Sequence, residues 1–364
     1  MCVRLLPKLG SVFSCSNAQT AVPYNLGSIV TAGVCDINGK IFPRIALLVM
    51  MIVLAACRTQ TAEQGPFVAA TATATPRSTP LPVVATVVPP GIEDNAIHMV
   101  VNPVGSASLI TGTQITNFEE ALAADSDLVV EVTVVDRYAE ALAALCASTP
   151  TNVTVAWLDG LTYQAAVAQN CGEPVMQIER GTRNAQTGEV GQIVTRSDLG
   201  LGSLQTIRGR TLCRISYDDY FSWLVPSVLL QANDISPISD FESIVDYDNT
   251  RAMVNGLLDD ECSAAGMSET EFADLNGTVR EQLDVLEETP PFPYAVLMYP
   301  FNLPLGERIR LDNALLAANN DPDGSDAMRP FLEQDDLQRV SPSEFDELSD
   351  FLERTGLDFA QLGD

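Results

Sequence analysis

The chain has 364 residues, a mass of 39.1 kDa and a formal net charge of −28, from 20 basic and 48 acidic side chains. This acidity excludes nucleic-acid binding and electrostatic docking on anionic lipid, because both need clustered basic side chains. The apolar content of 46% suffices for a buried core. His98 is the only histidine, which excludes a metal site built from several histidines.

The start of the chain has the three parts of a secretory signal peptide in the expected order. Residues 40–44 include two basic side chains, residues 45–53 form an uncharged apolar run, and residues 54–57 read Leu-Ala-Ala-Cys, which resembles a bacterial lipobox. That resemblance implies that Cys57 becomes the lipidated N-terminus. An uncleaved membrane anchor is the alternative, but a span needs about 20 apolar residues. We predict that residues 1–56 are a signal peptide with a spurious N-terminal extension.

Residues 57–94 have the composition of a tether. They are rich in Thr, Ala and Pro and lack helical periodicity, which predicts a lipidated cysteine followed by an extended, disordered linker. The chain beyond residue 56 keeps 16 basic and 47 acidic side chains, and none of the basic ones is lysine.

Organised sequence begins near Ile97, and strands then alternate with helices. This alternation predicts an α/β fold with a largely parallel sheet. Strands are predicted at 97–101, 128–135, 153–158, 174–178, 211–215 and 241–245. Helices are predicted from Thr116 or Asn117, and over 137–147, 161–169, 220–232, 249–258, 278–287, 305–318, 326–333 and 343–353, with an extended crossing segment at 289–298.

Four passages carry a family resemblance through their order and spacing. They are residues 135–142, which begin Val-Asp-Arg-Tyr, residues 155–163, residues 203–211 and the Leu-Val-Pro turn at 224–226. Together they resemble the phosphonate-type substrate-binding proteins of bacterial ABC transporters, over about residues 96–355.

The resemblance implies a type II periplasmic-binding-protein fold. Such a fold has two α/β lobes, each with a mainly parallel sheet, joined by two crossing segments. We predict lobe 1 at 95–185, lobe 2 at 186–291, and a return to lobe 1 with C-terminal helices at 292–364.

The resemblance also implies a function. Lobe closure would trap a small ligand, and an ABC permease would receive it from a monomeric receptor held at the outer face of the membrane by the lipid on Cys57. This role needs no cofactor, metal or catalysis. Two alternatives stay open: a surface lipoprotein that signals ligand state to a membrane partner, and an enzyme on the same fold, for which His98 and Cys171 are the candidate residues.

The predicted ligand differs from the family's. Where the phosphonate branch has a Ser-Thr-Ser-Gly stretch at a helix N-terminus, this chain has Asp-Tyr-Phe-Ser at 219–222, and Asp248 replaces a family histidine. Carboxylates repel phosphonate oxygens. An acidic aromatic pocket for a cationic or amine-bearing ligand is predicted instead. Its candidate residues are Tyr138, Trp157, Asp159, Tyr163, Asp218, Asp219, Tyr220, Ser222 and Asp248, with Tyr217 and Trp223 nearby.

A plainer interpretation of the same residues stays open. Trp157 and Trp223 would then be core residues, and the aspartates would cap the helix that starts near Tyr220. Tyr138 could equally pack against the crossing segment.

Four cysteines remain after the predicted cleavage site, apart from Cys57: Cys146, Cys171, Cys213 and Cys262. An even number in an exported chain favours disulfides, and three pairings are possible. We favour Cys146–Cys171 and Cys213–Cys262, because this pairing keeps each bridge within one lobe. Free thiols and a zinc site are the alternatives, although no Cys-x-x-Cys pair is present to favour zinc.

Overall fold

A computed structural model describes residues 88–103, 107–124 and 126–361. The predicted signal peptide, Cys57 and most of the predicted tether lie outside these residues. Among the residues described, no helix is both long and apolar enough to cross a membrane.

The first lobe is built on a six-stranded sheet with the order β13-β4-β12-β3-β1-β2. Strands β1, β2 and β3 pair in parallel, whereas β12 runs antiparallel between β3 and β4, and β13 runs antiparallel along β4. The strands are β1 (Ile97–Val101), β2 (Val130–Val134), β3 (Thr154–Leu158), β4 (Glu173–Glu179), β12 (Val296–Tyr299) and β13 (Asp336–Arg339).

Helices cover both faces of this sheet, and the strand residues alternate between two cores, as the two-residue period of a strand requires. Val155 and Trp157 face one core, and Ala156 and Leu158 face the other. The first core is closed by α1 (Gly112–Ala123), α8 (Leu305–Asn320) and α9 (Pro322–Leu332). The second is closed by α2 (Tyr138–Cys146) and α3 (Gly160–Ala168).

The second lobe has a five-stranded sheet with the order β10-β6-β9-β7-β8. Its strands are β6 (Gly191–Arg196), β7 (Thr211–Arg214), β8 (Ser243–Asp246), β9 (Ala264–Ser268) and β10 (Leu283–Glu288). The pairs β7–β8 and β7–β9 are parallel, and β6 runs antiparallel between β9 and β10. A π-helical turn, Tyr220–Leu224, leads into α4 (Val225–Ala232); α5 (Thr250–Leu258), α6 (Glu269–Asp274) and α7 (Gly277–Arg280) follow.

The two lobes are joined by two crossing segments that pair with each other. Strand β5 (Gly188–Glu189) lies antiparallel to β11 (Phe292–Pro293). The last helix, α10 (Asp346–Glu353), also reaches both lobes. Phe351 packs at right angles to the Phe292 ring at 6.3 Å, and the Ser349 hydroxyl donates to Oε1 of Gln164 on α3 at 3.0 Å.

The α/β, two-lobed prediction is confirmed, with one refinement. Four of the six strands in lobe 1 and four of the five in lobe 2 point the same way, but both sheets are mixed. Strands β6 and β12 each follow a crossing segment and run opposite to their neighbours, and β13, which follows α9, runs opposite to β4.

Two element predictions were wrong, and several elements were not predicted. The helix predicted over 278–287 is a short helix followed by β10, and the first helix begins at Gly112 under a Thr111 cap rather than at Thr116. Strands β6, β9 and β13 and helix α6 were not predicted. The sequence of β9, Ala-Ala-Gly-Met-Ser, has little β propensity, and the strand forms because it is fully buried at the centre of its sheet.

The structure contains the favoured pair of disulfides. Cys146 and Cys171 have Cα atoms 4.7 Å apart in lobe 1, and those of Cys213 and Cys262 are 5.8 Å apart in lobe 2. The described part of the chain holds no group of three or more His, Cys, Asp or Glu residues able to bind a metal ion.

The small residues of β9 yield a stability prediction. A Cβ atom on Gly266 would lie 2.3 Å from Cγ of Pro226 and 2.8 Å from the backbone oxygen of Ser222. We expect Gly266→Ala to lower the free energy of unfolding by about 1–3 kcal/mol, because the start of α4 must move. The matched control is Gly306→Ala on α8, where a Cβ meets nothing within 4 Å. Chemical denaturation of both variants checks this, and an equal effect of the two substitutions would contradict it.

Candidate ligand-binding cleft

The predicted site residues lie where strands of both lobes end. Strands β1 to β4 share one direction, so Asp159 after β3 and Tyr138 at the start of α2 lie at the same edge of the lobe 1 sheet. In lobe 2, Asp219 and Tyr220 follow the carboxyl end of β7. Ligands of open α/β sheets bind beyond the carboxyl ends of strands.

Asp159 is the N-cap of α3 and is only 6% exposed. Its Oδ1 atom accepts hydrogen bonds from the backbone N–H groups of Leu161 and Thr162, both at 2.8 Å, and from the Thr162 hydroxyl at 3.1 Å. Burial raises the pKa of the carboxyl group from 3.8 to about 6, because these hydrogen bonds offset only part of the desolvation. The site therefore has one buried acid that titrates close to neutral pH.

Tyr138 begins α2 and faces groups of opposite charge. Burial raises the pKa of its phenol well above the usual value; Asp159 raises it further and the guanidinium of Arg180 lowers it. The phenol is therefore neutral at physiological pH, and the opposite charges of Asp159 and Arg180 both act on it.

Tyr220 reaches this group from lobe 2. Burial, followed by Asp159 and Tyr138, raises the pKa of its phenol, whereas the backbone N–H groups of Leu161 and Gly160 lower it. The ring stands edge-on to Phe292 of the crossing segment, with centroids 6.2 Å apart. Three of the predicted residues, Tyr138, Asp159 and Tyr220, are thus brought together at the boundary of the two lobes.

Asp219 and Ser222 stabilise the turn that carries Tyr220. Oδ1 of Asp219 accepts from the Ser222 backbone N–H at 2.7 Å, so Asp219 is the helix cap of the plainer interpretation. The buried Ser222 hydroxyl accepts from the backbone N–H of Ile215 at 3.0 Å. Asp218 is exposed and accepts from the Ser216 hydroxyl at 2.5 Å.

The remaining predicted residues lie elsewhere. Trp157 is 1% exposed in the first core of lobe 1, and its Nε1 atom has no partner within the described chain. Tyr163 packs its ring 4.5 Å from that of Phe345 in the second core, where burial raises the pKa of its phenol to about 12. Asp248 is exposed, one residue before the Asn249 cap of α5.

A polar group at the crossing segments was not predicted from the sequence. The Arg180 guanidinium lies 4.4 Å from the centre of the Tyr294 ring and donates to the backbone oxygen of Leu332 at 3.1 Å. The Tyr294 hydroxyl donates to Oε2 of Glu189 at 3.2 Å, and the same carboxylate accepts from the backbone N–H of Thr270 at 2.8 Å. The available signal was the arginine that directly follows the end of β4.

The pKa of Asp159 predicts a pH dependence of stability. The folded protein binds the proton of the Asp159 carboxyl group more tightly than the unfolded chain does. The free energy of unfolding therefore falls as the pH rises from about 4 to about 6 and does not fall further above that range on account of this group. Asp159→Asn keeps the capping oxygen and removes the charge. We expect the free energy of unfolding of this variant to exceed that of the parent protein by about 2 kcal/mol at pH 7.5 and to equal it at pH 4.

Thermal and chemical denaturation across this pH range measure the difference. Asp218→Asn, which removes an exposed carboxylate, is the matched control and should show no such dependence. A gain in Asp159→Asn that is equal at both pH values would contradict the assignment.

The fold is similar to that of solved binding proteins at low sequence identity. Protein XAC2383 from Xanthomonas citri, solved with a chloride ion and with ATP, has a TM-score of 0.54 in both structures, at 15% and 14% identity. The matches cover 72% and 74% of this chain and 98% and 99% of the other. Mh-p37 from Mycoplasma hyorhinis has a TM-score of 0.50 at 12% identity, and the match covers 73% of this chain and 99% of the Mh-p37 chain. These similarities establish the fold alone.

No curated protein matches the chain. The family model described as "ABC transporter, phosphonate, periplasmic substrate-binding protein" matches residues 100–345, which is more than half of the chain. That family consists of transporter binding proteins rather than enzymes, and its members bind small ligands for an ABC permease. The chain belongs to this family of periplasmic substrate-binding proteins of ABC transporters.

Proposed function

We propose that the protein is a lipid-anchored receptor that captures a small amine-bearing ligand between its lobes and delivers it to an ABC importer. The observation that carries the ligand class is the buried carboxyl group of Asp159, which Tyr138 and Tyr220 approach from the two lobes.

The helix starts at the cleft argue against a phosphonate. A helix N-terminus attracts an anion through its free N–H groups and its dipole. Here Oδ1 of Asp159 already accepts the N–H groups of Leu161 and Thr162, and Oδ1 of Asp219 accepts that of Ser222. Both starts therefore have a resident carboxylate in the place that an anionic ligand would take, and its charge opposes a second anion.

An amine answers the needs of the same groups. The capping bonds of Asp159 use Oδ1, which leaves Oδ2 to accept from an ammonium group. A nearby cation favours the charged carboxylate and would lower its raised pKa. The ring of Tyr138 adds cation–π attraction of about 0.5–2 kcal/mol. The proposed site therefore comprises Tyr138 and Asp159, with Tyr220 beside them, and the other predicted residues support the fold around it.

A thermal-shift screen tests the ligand class. Choline and putrescine are the amine probes, and methylphosphonate and inorganic phosphate are the anion probes. A ligand at 100 times its Kd stabilises the folded protein by about 2.7 kcal/mol, so we expect a clear rise in Tm with an amine and none with the anions. Asp159→Asn should lose the rise, and Asp218→Asn should retain it.

Two outcomes would refute the proposed ligand. One is stabilisation by methylphosphonate or phosphate without any response to amines. The other is an amine response that Asp159→Asn retains in full, since the ligand would then bind elsewhere.

The lipid anchor is tested separately at Cys57, the last residue of the Leu-Ala-Ala-Cys tetrapeptide. In a bacterial host supplied with an alkyne-tagged fatty acid, we expect the protein to be labelled and to sediment with membranes. Cys57→Ser should abolish both, because the thiol is the acceptor of the lipid, and Cys35→Ser should change neither. Labelling that survives Cys57→Ser would disprove the anchor.

A further inference from the structure

Tyr220 is a side chain of lobe 2 that ends on a helix of lobe 1. Its residue begins the π-helical turn after β7, whereas its side chain packs against the same apolar cluster as Leu161 of α3, a cluster that includes Phe292. Phe221 stands edge-on to the ring at 5.0 Å on one side, and Phe292 of the crossing segment does so at 6.2 Å on another. The ring therefore lies in the space between the lobes, at the site proposed for the ligand.

The hydroxyl group of Tyr220 contributes little to this packing. It is buried, and no partner among the residues described meets hydrogen-bond geometry, although the backbone N–H groups of Leu161 and Gly160 lower the pKa of the phenol. A buried hydroxyl without a partner carries a desolvation cost that no bond offsets. The apolar contacts of the ring, rather than the hydroxyl, are thus what holds the side chain there.

The turn that carries Tyr220 has hydrogen bonds of both the α-helical and the π-helical register. The Val225 backbone N–H bonds to the oxygen of Tyr220, and the N–H groups of Trp223 and Leu224 both reach the oxygen of Asp219, at 3.2 and 3.0 Å. A π-helical turn holds more residues than an α-helical one, and such turns are frequent at functional sites. A return to the α-helical register would rotate Tyr220 about the helix axis and withdraw its ring.

We propose that the Tyr220 ring is an intramolecular occupant of the cleft, which holds the lobes together and must leave before a ligand can bind. This inference does not depend on the ligand being an amine. A side chain that competes with the ligand lowers the apparent affinity by the fraction of molecules in which the cleft is free.

The test removes the Tyr220 ring by substitution and then adds the same ring as a small molecule in solution. In the full mature chain in detergent, labels at the exposed residues Glu120 on α1 and Arg251 on α5 report the distance between the lobes by single-molecule fluorescence energy transfer. We expect Tyr220→Ala to lengthen this distance, because a cavity the size of a phenol ring opens between the lobes. p-Cresol, which is the tyrosine side chain as a free molecule, should restore the shorter distance and bind at least tenfold more tightly to Tyr220→Ala than to the parent protein.

Two variants separate the ring from its surroundings. Tyr220→Phe keeps the ring and should retain the parent distance, since the lost hydroxyl had no partner. Tyr217→Ala removes a tyrosine of the same loop that is 63% exposed, and it should neither open the lobes nor gain p-cresol binding. If Tyr220→Ala fails to fold, Tyr220→Leu carries the same expectation with a smaller change in distance.

Three results would each overturn the inference. They are an unchanged distance in both Tyr220→Ala and Tyr220→Leu, a p-cresol response no greater than that of Tyr217→Ala, and opening in Tyr220→Phe equal to that in Tyr220→Ala.

Discussion

The close fit of Gly160 against the crossing segment determines the cleft. A Cβ atom at this position would lie 2.8 Å from Cδ of Pro293 and 3.0 Å from Cδ1 of Phe292, so only glycine lets α3 begin here without displacing β11. Because α3 starts against β11, its Asp159 cap is buried at the boundary between the lobes. The same Phe292 ring receives Tyr220 from the other lobe. The helix start, the crossing segment and the contact between the lobes thus share one small set of atoms.

The sequence predicted much of the fold because most of its elements carry a local signal. The alternating and continuous apolar runs of β1 to β4 are readable without tertiary context, as are the helices between them. Strand β9 is not, since Ala264 to Ser268 are small residues whose strand conformation comes from neighbours on both sides. The 278–287 segment failed for a related reason: its helix ends at Arg280, and Leu283 then enters a strand paired with β6.

The site was harder to predict than the fold, because its residue types serve two purposes. An aspartate before a helix is equally suited to cap it or to face a ligand, and only the packing of the lobes distinguishes Asp159, which is buried at their boundary, from Asp218, which is exposed. Trp157 and Tyr163 looked like pocket residues because they flank Asp159 in sequence. The alternation of side chains along β3 places Trp157 in the first core of lobe 1, and Tyr163 on α3 packs against Phe345. Arg180 and Tyr294 meet only because the two crossing segments run side by side.

A helix N-terminus in a cleft can satisfy its N–H groups with a ligand anion or with a carboxylate of the chain itself. In both lobes of this protein a carboxylate of the chain accepts these hydrogen bonds, from Asp159 in one lobe and from Asp219 in the other. The consequences for the two residues differ, because Asp219 is only partly buried, whereas Asp159 has lost its water and titrates near pH 6. Above that pH the buried carboxylate repels an anion, and an approaching cation would stabilise its charge and lower its raised pKa. The phenol of Tyr138 can face such a cation without adding charge, which is why we propose an amine rather than a phosphonate as the ligand.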